Sequence, residues 1–243
     1  MTEIESLLAG LRTYLPVVPV DRFDFGSKRV GLVVVDEVNG FATPGAGALA
    51  PPAPDARVDA MVWETDSLAR RFVEEKRPIL AFLDTHVPGK PEPPYPAHCE
   101  IGTGEENLIP ALAWLESSGT ATLVRKDCIN GFVGGINLET GRNAVVDWIV
   151  GNRLQAVVVV GICTDICVMD FVLTLLSARN HGMLADLADI VVLESACATY
   201  NLSPEAASAM RLPRTAIHPQ AATHHAGLYM MASRGAVIAG SVG

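Results

Sequence analysis

Leu154–Gly161 reads LQAVVVVG, and the chain runs directly on into Gly161–Cys167, GICTDIC. The first stretch is almost continuously apolar and rich in β-branched residues. It lacks the polar alternation of a sheet with one wet face, so it reads as a strand covered on both sides. Arg29–Asp36 (RVGLVVVD) and Pro78–Asp84 (PILAFLD) have the same character, Ala121–Arg125 is a weaker third, and Ile190–Glu194 a fifth. Amphipathic stretches lie between them, near Val58–Lys76, Glu105–Ser118, Asn143–Arg153 and Asp165–His181. Strand alternating with helix predicts a three-layer α/β/α sandwich around a mainly parallel, roughly six-stranded sheet. In the tail, Ser203–Met210 reads as a helix with Ser203 as N-cap and Pro204 at its first position, Pro219–Ala232 as another helix, and Gly235–Ala239 as an edge strand. No linker, repeat or low-complexity tract divides the sequence. The expected organisation is one domain over residues 1–243, with an N-terminal helix and an extended C-terminal region from about residue 200.

Composition narrows the function. Apolar residues make up 49% and charged residues 19% of the 243 positions, which excludes a disordered chain. The net charge of −9, with no cluster of Lys or Arg, argues against nucleic acid or an anionic lipid surface as partner. The longest apolar run, Ala156–Cys163, falls far short of the ~20 residues that span a bilayer, and the first twenty residues lack the basic start and apolar run of a secretory signal. Cys99, Cys128, Cys163, Cys167 and Cys197 are an odd, sparse set that fits a reducing compartment better than a disulfide framework. The expectation is a soluble, cytoplasmic protein.

In open parallel sheets, ligands sit beyond the carboxyl ends of the strands. The first strand ends at Asp36, the second at Asp84-Thr85-His86, the third runs into Lys126, and the fourth into Cys163 and Cys167. Cys167 falls in the first turn of a helix that Thr164 or Asp165 can cap, where unpaired N–H groups favour a thiolate. Lys126 can add positive charge, and Asp36 can take the thiol proton and later deliver it to a leaving group. Taken singly, Cys167 is a small buried apolar residue, Lys126 a solvated charge and Asp36 a turn residue. It is their coincidence at three strand ends that points to nucleophilic catalysis.

Asp84 and His86, two apart in an extended segment, point the same way, and His98 returns twelve residues later. One carboxylate and two imidazoles suit Zn, with Fe or Mn as alternatives; the ordinary reading is a turn with a satisfied histidine. Glu92, in a Pro-rich loop, is either a fourth contact or an exposed residue. His218 reads as a helix-start residue and His224 and His225 as helix surface. His181-Gly182 reads as a helix C-terminus with Gly supplying the left-handed cap.

The segments VVVDEVNGF (Val33–Phe41), FLDTH (Phe82–His86), YPAHCEIGTGEENL (Tyr95–Leu108), RKDCINGFVGG (Arg125–Gly135) and GICTDICVMDFV (Gly161–Val172) resemble the nicotinamidases of the isochorismatase-like cysteine hydrolase superfamily. The tail, CATYNLSP…AIHPQAATHHAGLYM, resembles the plant-type branch. The resemblance implies hydrolysis of nicotinamide to nicotinate and ammonia in pyridine-nucleotide salvage, with Cys167 as nucleophile and Asp36 and Lys126 as its partners. It implies one divalent ion, zinc first, on Asp84, His86 and His98, and aromatic pocket walls at Phe41 and Tyr95. It further implies an oxyanion hole from the backbone N–H groups of Cys163 and Cys167, a cis Ile162–Cys163 peptide, and a small-molecule substrate handled by a chain that is a monomer or a homo-oligomer. Where many bacterial members read D-x-Q-x-D-F, this chain has Val38 and Gly40 in place of the Gln and second Asp, which marks the subtype.

Two other readings stay open at this level. One is a sister hydrolase acting on another amide, a carbamoyl group or a vinyl ether; the D-x-H…H set argues against it. The other is a silent binding or redox module using Cys163 and Cys167, whose three-residue spacing departs from the usual two.

Overall fold

A computed structural model describes residues 3–90, 92–117 and 119–243. The strands are β1 (Val30–Val35), β2 (Ile79–Asp84), β3 (Ala121–Lys126), β4 (Ala156–Ile162), β5 (Asp189–Ala198) and β6 (Val237–Ala239). They form one parallel sheet in the order β3-β2-β1-β4-β5-β6, as the alternation of strands and helices predicts. β1, β2 and β4 are buried at every residue, which is why they lack polar alternation. β3 lies at the sheet edge and is half exposed, which accounts for its weaker signal.

The two faces of the strands carry different layers. Leu32, Val34, Ala81, Val158 and Val160 pack with Val58, Met61, Leu68 and Phe72 of α3 (Ala56–Glu74). Val33, Val35, Leu80, Phe82, Val157 and Val159 pack with Trp148 and Ile149 of α6 (Ala144–Gly151), Phe171 and Leu175 of α7 (Met169–Asn180), and Leu228 of α9 (Gln220–Ala232). Side-chain caps start α3 and α6. Asp55 accepts from the Arg57 and Val58 amides, and Asn143 from those of Val145 and Val146. Ser203 caps the short helix Pro204–Ala209 as read from the sequence, and α1 (Glu3–Tyr14) supplies the N-terminal helix.

Three local readings change. Of the stretch Glu105–Ser118, Ser118 lies outside the described residues and the rest is helical only at Trp114–Ser117. Glu105 and Glu106 instead turn their carboxylates onto the amides of Cys99, Gly102 and Gly104, so their side chains serve a loop, and Pro110 stands in the middle of the stretch. β5 runs past Glu194 to Ala198, through a register irregularity against β4 at Val159/Gly161. The stretch from Asp165 begins with a π-type turn over Thr164–Val168, in which the Val168 amide donates to Cys163 O.

Gly161 fixes how the central strands end. Its φ is 121°, and a Cβ there would stand 2.1 Å from Val35 O. Only glycine lets β4 approach β1 this closely. The residues that follow the two strands, Asp36 and Ile162–Cys167, are thereby brought together.

Candidate active site

Asp36 follows β1 in the left-handed region, at φ 52°, and is fully buried. A non-glycine residue held there at an element's end marks a position the surrounding structure enforces. Lys126 closes β3 and, although the strand is at the edge, its side chain is buried. Its Nζ lies 2.9 Å from Asp36 Oδ2 and donates to Asp84 Oδ1 at 2.8 Å. Cys167 sits in the π-type turn, buried beside Asp36. The structure thus brings together the three residues that the strand ends singled out.

The electrostatics differ in one respect from the sequence reading. Burial pushes the Cys167 thiol well above its ordinary value, against the pull of Lys126. The turn it occupies has no side-chain cap: the Thr164 hydroxyl engages His224 and the Asp165 carboxylate engages His218. A thiolate favoured by a capped helix start is therefore replaced by a buried neutral thiol. Burial also pushes the Asp36 carboxyl up to about 6, with Lys126 pulling it down and Asp84 pushing it up. Burial works against the charge on Lys126, but Asp36, Cys167 and Asp84 together hold its ammonium well above the usual range. A proton acceptor near neutrality thus stands beside a protonated nucleophile.

Asp84 Oδ2 lies 2.9 Å from His86 Nε2 and 3.2 Å from His98 Nε2, and all three side chains are buried. His98 Nδ1 meets Pro96 O at 2.7 Å. A carbonyl only accepts, so Nδ1 carries the proton and Nε2 of the neutral ring offers a lone pair toward Asp84. Two acceptor atoms aimed at one another are satisfied by a cation between them. The three ligand atoms lie close enough together for one ion to be shared between them. The donor set fits a divalent ion. Burial opposes charge on Asp84, yet Lys126 and the two histidines hold its carboxyl far below the usual range, as a ligand requires. Glu92 is beside the cluster: its Oε2 is 3.7 Å from His86 Nε2 and 3.6 Å from His98 Nε2, while its Oε1 accepts from the Ile129 amide.

One narrow pocket joins the two clusters. Phe41 and Tyr95 line it with Asp84, Glu92, His98, Cys163 and Cys167. Phe41 comes from the short helix α2 (Asn39–Ala42), and its ring centroid is 5.6 Å from that of His98; Tyr95 meets His98 edge-on at 6.1 Å. The Ile162–Cys163 peptide is cis. Ile162 lines it too, together with Leu49, Ile129, Ile166 and Tyr200, four residues that the sequence reading does not single out. Tyr200 reaches the pocket because β5 runs four residues longer than its apolar run suggested.

Glu105 was also read only as part of a helix. Its Oε2 accepts from the Cys99 amide at 2.9 Å, and its backbone carbonyl accepts from the Gly40 amide at 2.9 Å. A Cβ at Gly47 would stand 2.4 Å from the same Oε2, so the carboxylate rests in a cradle that glycine leaves open. The residue ties the His98–Cys99 turn to the helix that presents Phe41.

His218 stands directly before α9, as read, whereas His224 and His225 are drawn off the helix surface. His218 is buried, stacked on Tyr200 at 3.9 Å, and bonded to Asp165 Oδ2 at 2.8 Å and to Tyr200 O. His224 meets the Thr164 hydroxyl at 2.8 Å, and His225 Nε2 meets Leu15 O at 2.9 Å. α9 packs over the turn that holds Cys167, which leaves His224 and His225 half-buried. His181 does stand at the C-terminus of α7, followed by Gly182 at φ 88°, as read.

A family model described as "Isochorismatase domain" matches residues 30–239. The chain is 47% identical over 243 residues to "Nicotinamidase 1" of Arabidopsis thaliana, covering 100% of this chain and 98% of the relative. Among solved structures, the nicotinamidase of Bacillus subtilis superposes with a TM-score of 0.63 at 22% identity, covering 87% of this chain and 99% of that one. The pyrazinamidase of Pyrococcus horikoshii, solved in complex with zinc, gives 0.58 at 22% identity, covering 86% and 98%. At these identities the two structures establish a shared fold.

Proposed function

The chain belongs to the isochorismatase family, and we propose that within it this protein is a nicotinamidase, an amidohydrolase that converts nicotinamide to nicotinate and ammonia. The observation that carries this reading is the two-ended pocket: a thiol beside Asp36 at one end, and the Asp84–His86–His98 donor set at the other. A substrate that fills it needs a carbonyl to attack and, across an aromatic ring, a lone pair to anchor. Nicotinamide has both.

Phe41 and Tyr95 form the walls against the pyridine ring. Asp84, His86 and His98 would hold a divalent ion, with zinc the first choice for this donor set, and it would supply a Lewis-acidic anchor for the ring nitrogen. Cys167 passes its proton to Asp36 and its sulfur attacks the carboxamide carbon. Lys126 stays charged throughout and holds Asp36 as a carboxylate until the proton arrives. The backbone N–H groups of Cys163 and Cys167 receive the developing oxyanion, where one such donor is worth ~10²–10³ in rate. Asp36 then gives the proton to the departing ammonia, leaving a thioester on Cys167. Water, deprotonated by Asp36, releases nicotinate and restores the thiol.

Ammonia release from nicotinamide, measured on metal-replete protein and after chelation, tests the reading. Release that falls on chelation and returns with added zinc is expected. No release by the replete protein overturns it.

A further inference from the structure

A second cavity, of about 270 Å³, backs onto the active-site loop. Its walls come from Arg12 of α1, Arg57 of α3, Glu194 and Thr199 of β5 and the residue beyond its end, and Gln220 and His224 of α9. Thr199 lines this cavity while its neighbour Tyr200 lines the substrate pocket, so the two spaces share a wall.

Two guanidiniums share the wall of this cavity. Arg70, Arg77 and Arg142 are each paired with a carboxylate. Among the described residues, the guanidinium groups of Arg12 and Arg57 make no hydrogen bond or ion pair, in a protein of net charge −9. Asp55, two residues before Arg57, is engaged by the Arg57 and Val58 amides and by Gln220 Nε2. Burial, with Arg57 next, depresses the basicity of His224 to about 4, so its ring is neutral and the local charge is two guanidiniums against the Glu194 carboxylate.

We propose that this cavity is a binding site for a small oxyanion that also carries hydroxyl donors. Arg12 and Arg57 grip the oxyanion, Glu194 accepts from the hydroxyls, and occupancy reaches the catalytic turn through the 2.8 Å His224–Thr164 contact. Two free guanidiniums are a fork for phosphate or carboxylate oxygens. The volume is near the lower end of small-molecule sites. The coupling half of the proposal rests on the nicotinamidase reading; the binding half does not.

Glycerol 3-phosphate and glycerate share a hydroxylated body and differ in the oxyanion, so they serve as probes, titrated at constant ionic strength against chloride. Binding is followed by calorimetry and by the NMR signals of the His224 ring. Saturable binding of at least one probe is expected, weakened tenfold or more in the Arg12→Ala/Arg57→Ala variant. Both arginines are exposed, so the variant folds, and its basal ammonia release is unchanged. The preferred probe tells whether the site takes a phosphoryl or a carboxylate group. Binding should shift the KM for nicotinamide, and His224→Ala should bind the probe without that shift. Probes no better than chloride, or binding unchanged in the double arginine variant, overturn the site. Binding without any KM shift in the wild type overturns the coupling alone.

Discussion

Lys126 Nζ donates to Asp84 Oδ1 at 2.8 Å, while the other oxygen of Asp84 faces His86 and His98. The cation beside the thiol and the ligand of the metal site are thus one connected unit. Removing Lys126 should harm both ends. Lys126→Met leaves Asp36 and Asp84 as buried carboxylates without a cation, a loss that typically costs ~3–5 kcal/mol of stability. In the fraction that folds, iodoacetamide should label Cys167 more slowly and zinc should bind more weakly, read by competition with a chromophoric chelator. Unchanged labelling together with unchanged zinc affinity would place Lys126 outside the chemistry.

Cys167→Ala should abolish ammonia release with little loss of fold, since one small buried residue replaces another. Cys128→Ala, away from the pocket lining, should keep at least a tenth of wild-type activity. Mass spectrometry after rapid quenching should find a nicotinoyl adduct on Cys167 in the wild type. Turnover by Cys167→Ala at the wild-type rate rules out a thioester.

Asp36 must be ionised to accept the thiol proton, and burial raises its carboxyl to about 6. The kcat/KM for nicotinamide should therefore fall on the acid side with a midpoint near pH 6, tenfold per unit below it. Asp36→Asn should remove that limb and lower turnover by ~10²–10⁴, with a smaller effect on alkylation of Cys167. An acid limb that survives in Asp36→Asn assigns it to another group.

Glu37, next to Asp36 but on the α3 side with Thr65, is fully buried, and burial raises its carboxyl to about 8 from an ordinary 4.5. The folded state binds the proton more tightly than the unfolded state, so this group's stabilisation is complete below about pH 4.5 and is lost as pH rises toward 8. The slope is at most about 1.4 kcal/mol per pH unit. Glu37→Gln cannot ionise. Its melting temperature relative to wild type should rise between pH 4.5 and pH 8, and a flat difference across that range contradicts the assignment.

Much of this was legible in the chain because strands buried on both faces announce themselves, and their ends fix where side chains emerge. Asp36, Asp84, His86, Lys126 and Cys167 all follow from that rule. Tyr200, His218 and His224 did not, because β5 continues beyond its apolar run and α9 packs back over the catalytic turn, neither of which leaves a local pattern. Glu105 was hidden by its own composition: a Glu-Glu pair before leucines reads as helix, and only the glycine cradle and the Cys99 amide make it a loop anchor. The charge state of Cys167 depends on burial and three neighbours distant in sequence, which a helix-start argument cannot weigh.

Glu105 gives a prediction with a built-in control. Glu105→Ala should loosen the His98–Cys99 turn and weaken zinc binding several-fold, while Glu105→Gln, which keeps an acceptor for the Cys99 amide, should retain most of it. Gly47→Ala should destabilise the wild type, where its methyl meets the carboxylate, and cost much less in the Glu105→Ala background. Additive effects in that double-mutant cycle would separate Gly47 from Glu105.

The role of the metal separates from that of the thiol through the choice of substrate. Benzamide has the carboxamide and nearly the shape of nicotinamide but no ring nitrogen. If an ion on Asp84, His86 and His98 orients the ring, benzamide leaves that anchor unused. Losing one well-directed polar contact in a closed site costs several kcal/mol, so its kcat/KM should be lower by ~10²-fold or more. Chelation, or His86→Ala, should close the gap by harming nicotinamide while leaving benzamide nearly where it was. Cys167 is not among the ligands, so iodoacetamide should still label the stripped protein. Both substrates are measured on replete and stripped protein, with labelling alongside. Equal rates on the replete protein that do not respond to stripping would confine any ion at this site to a structural part.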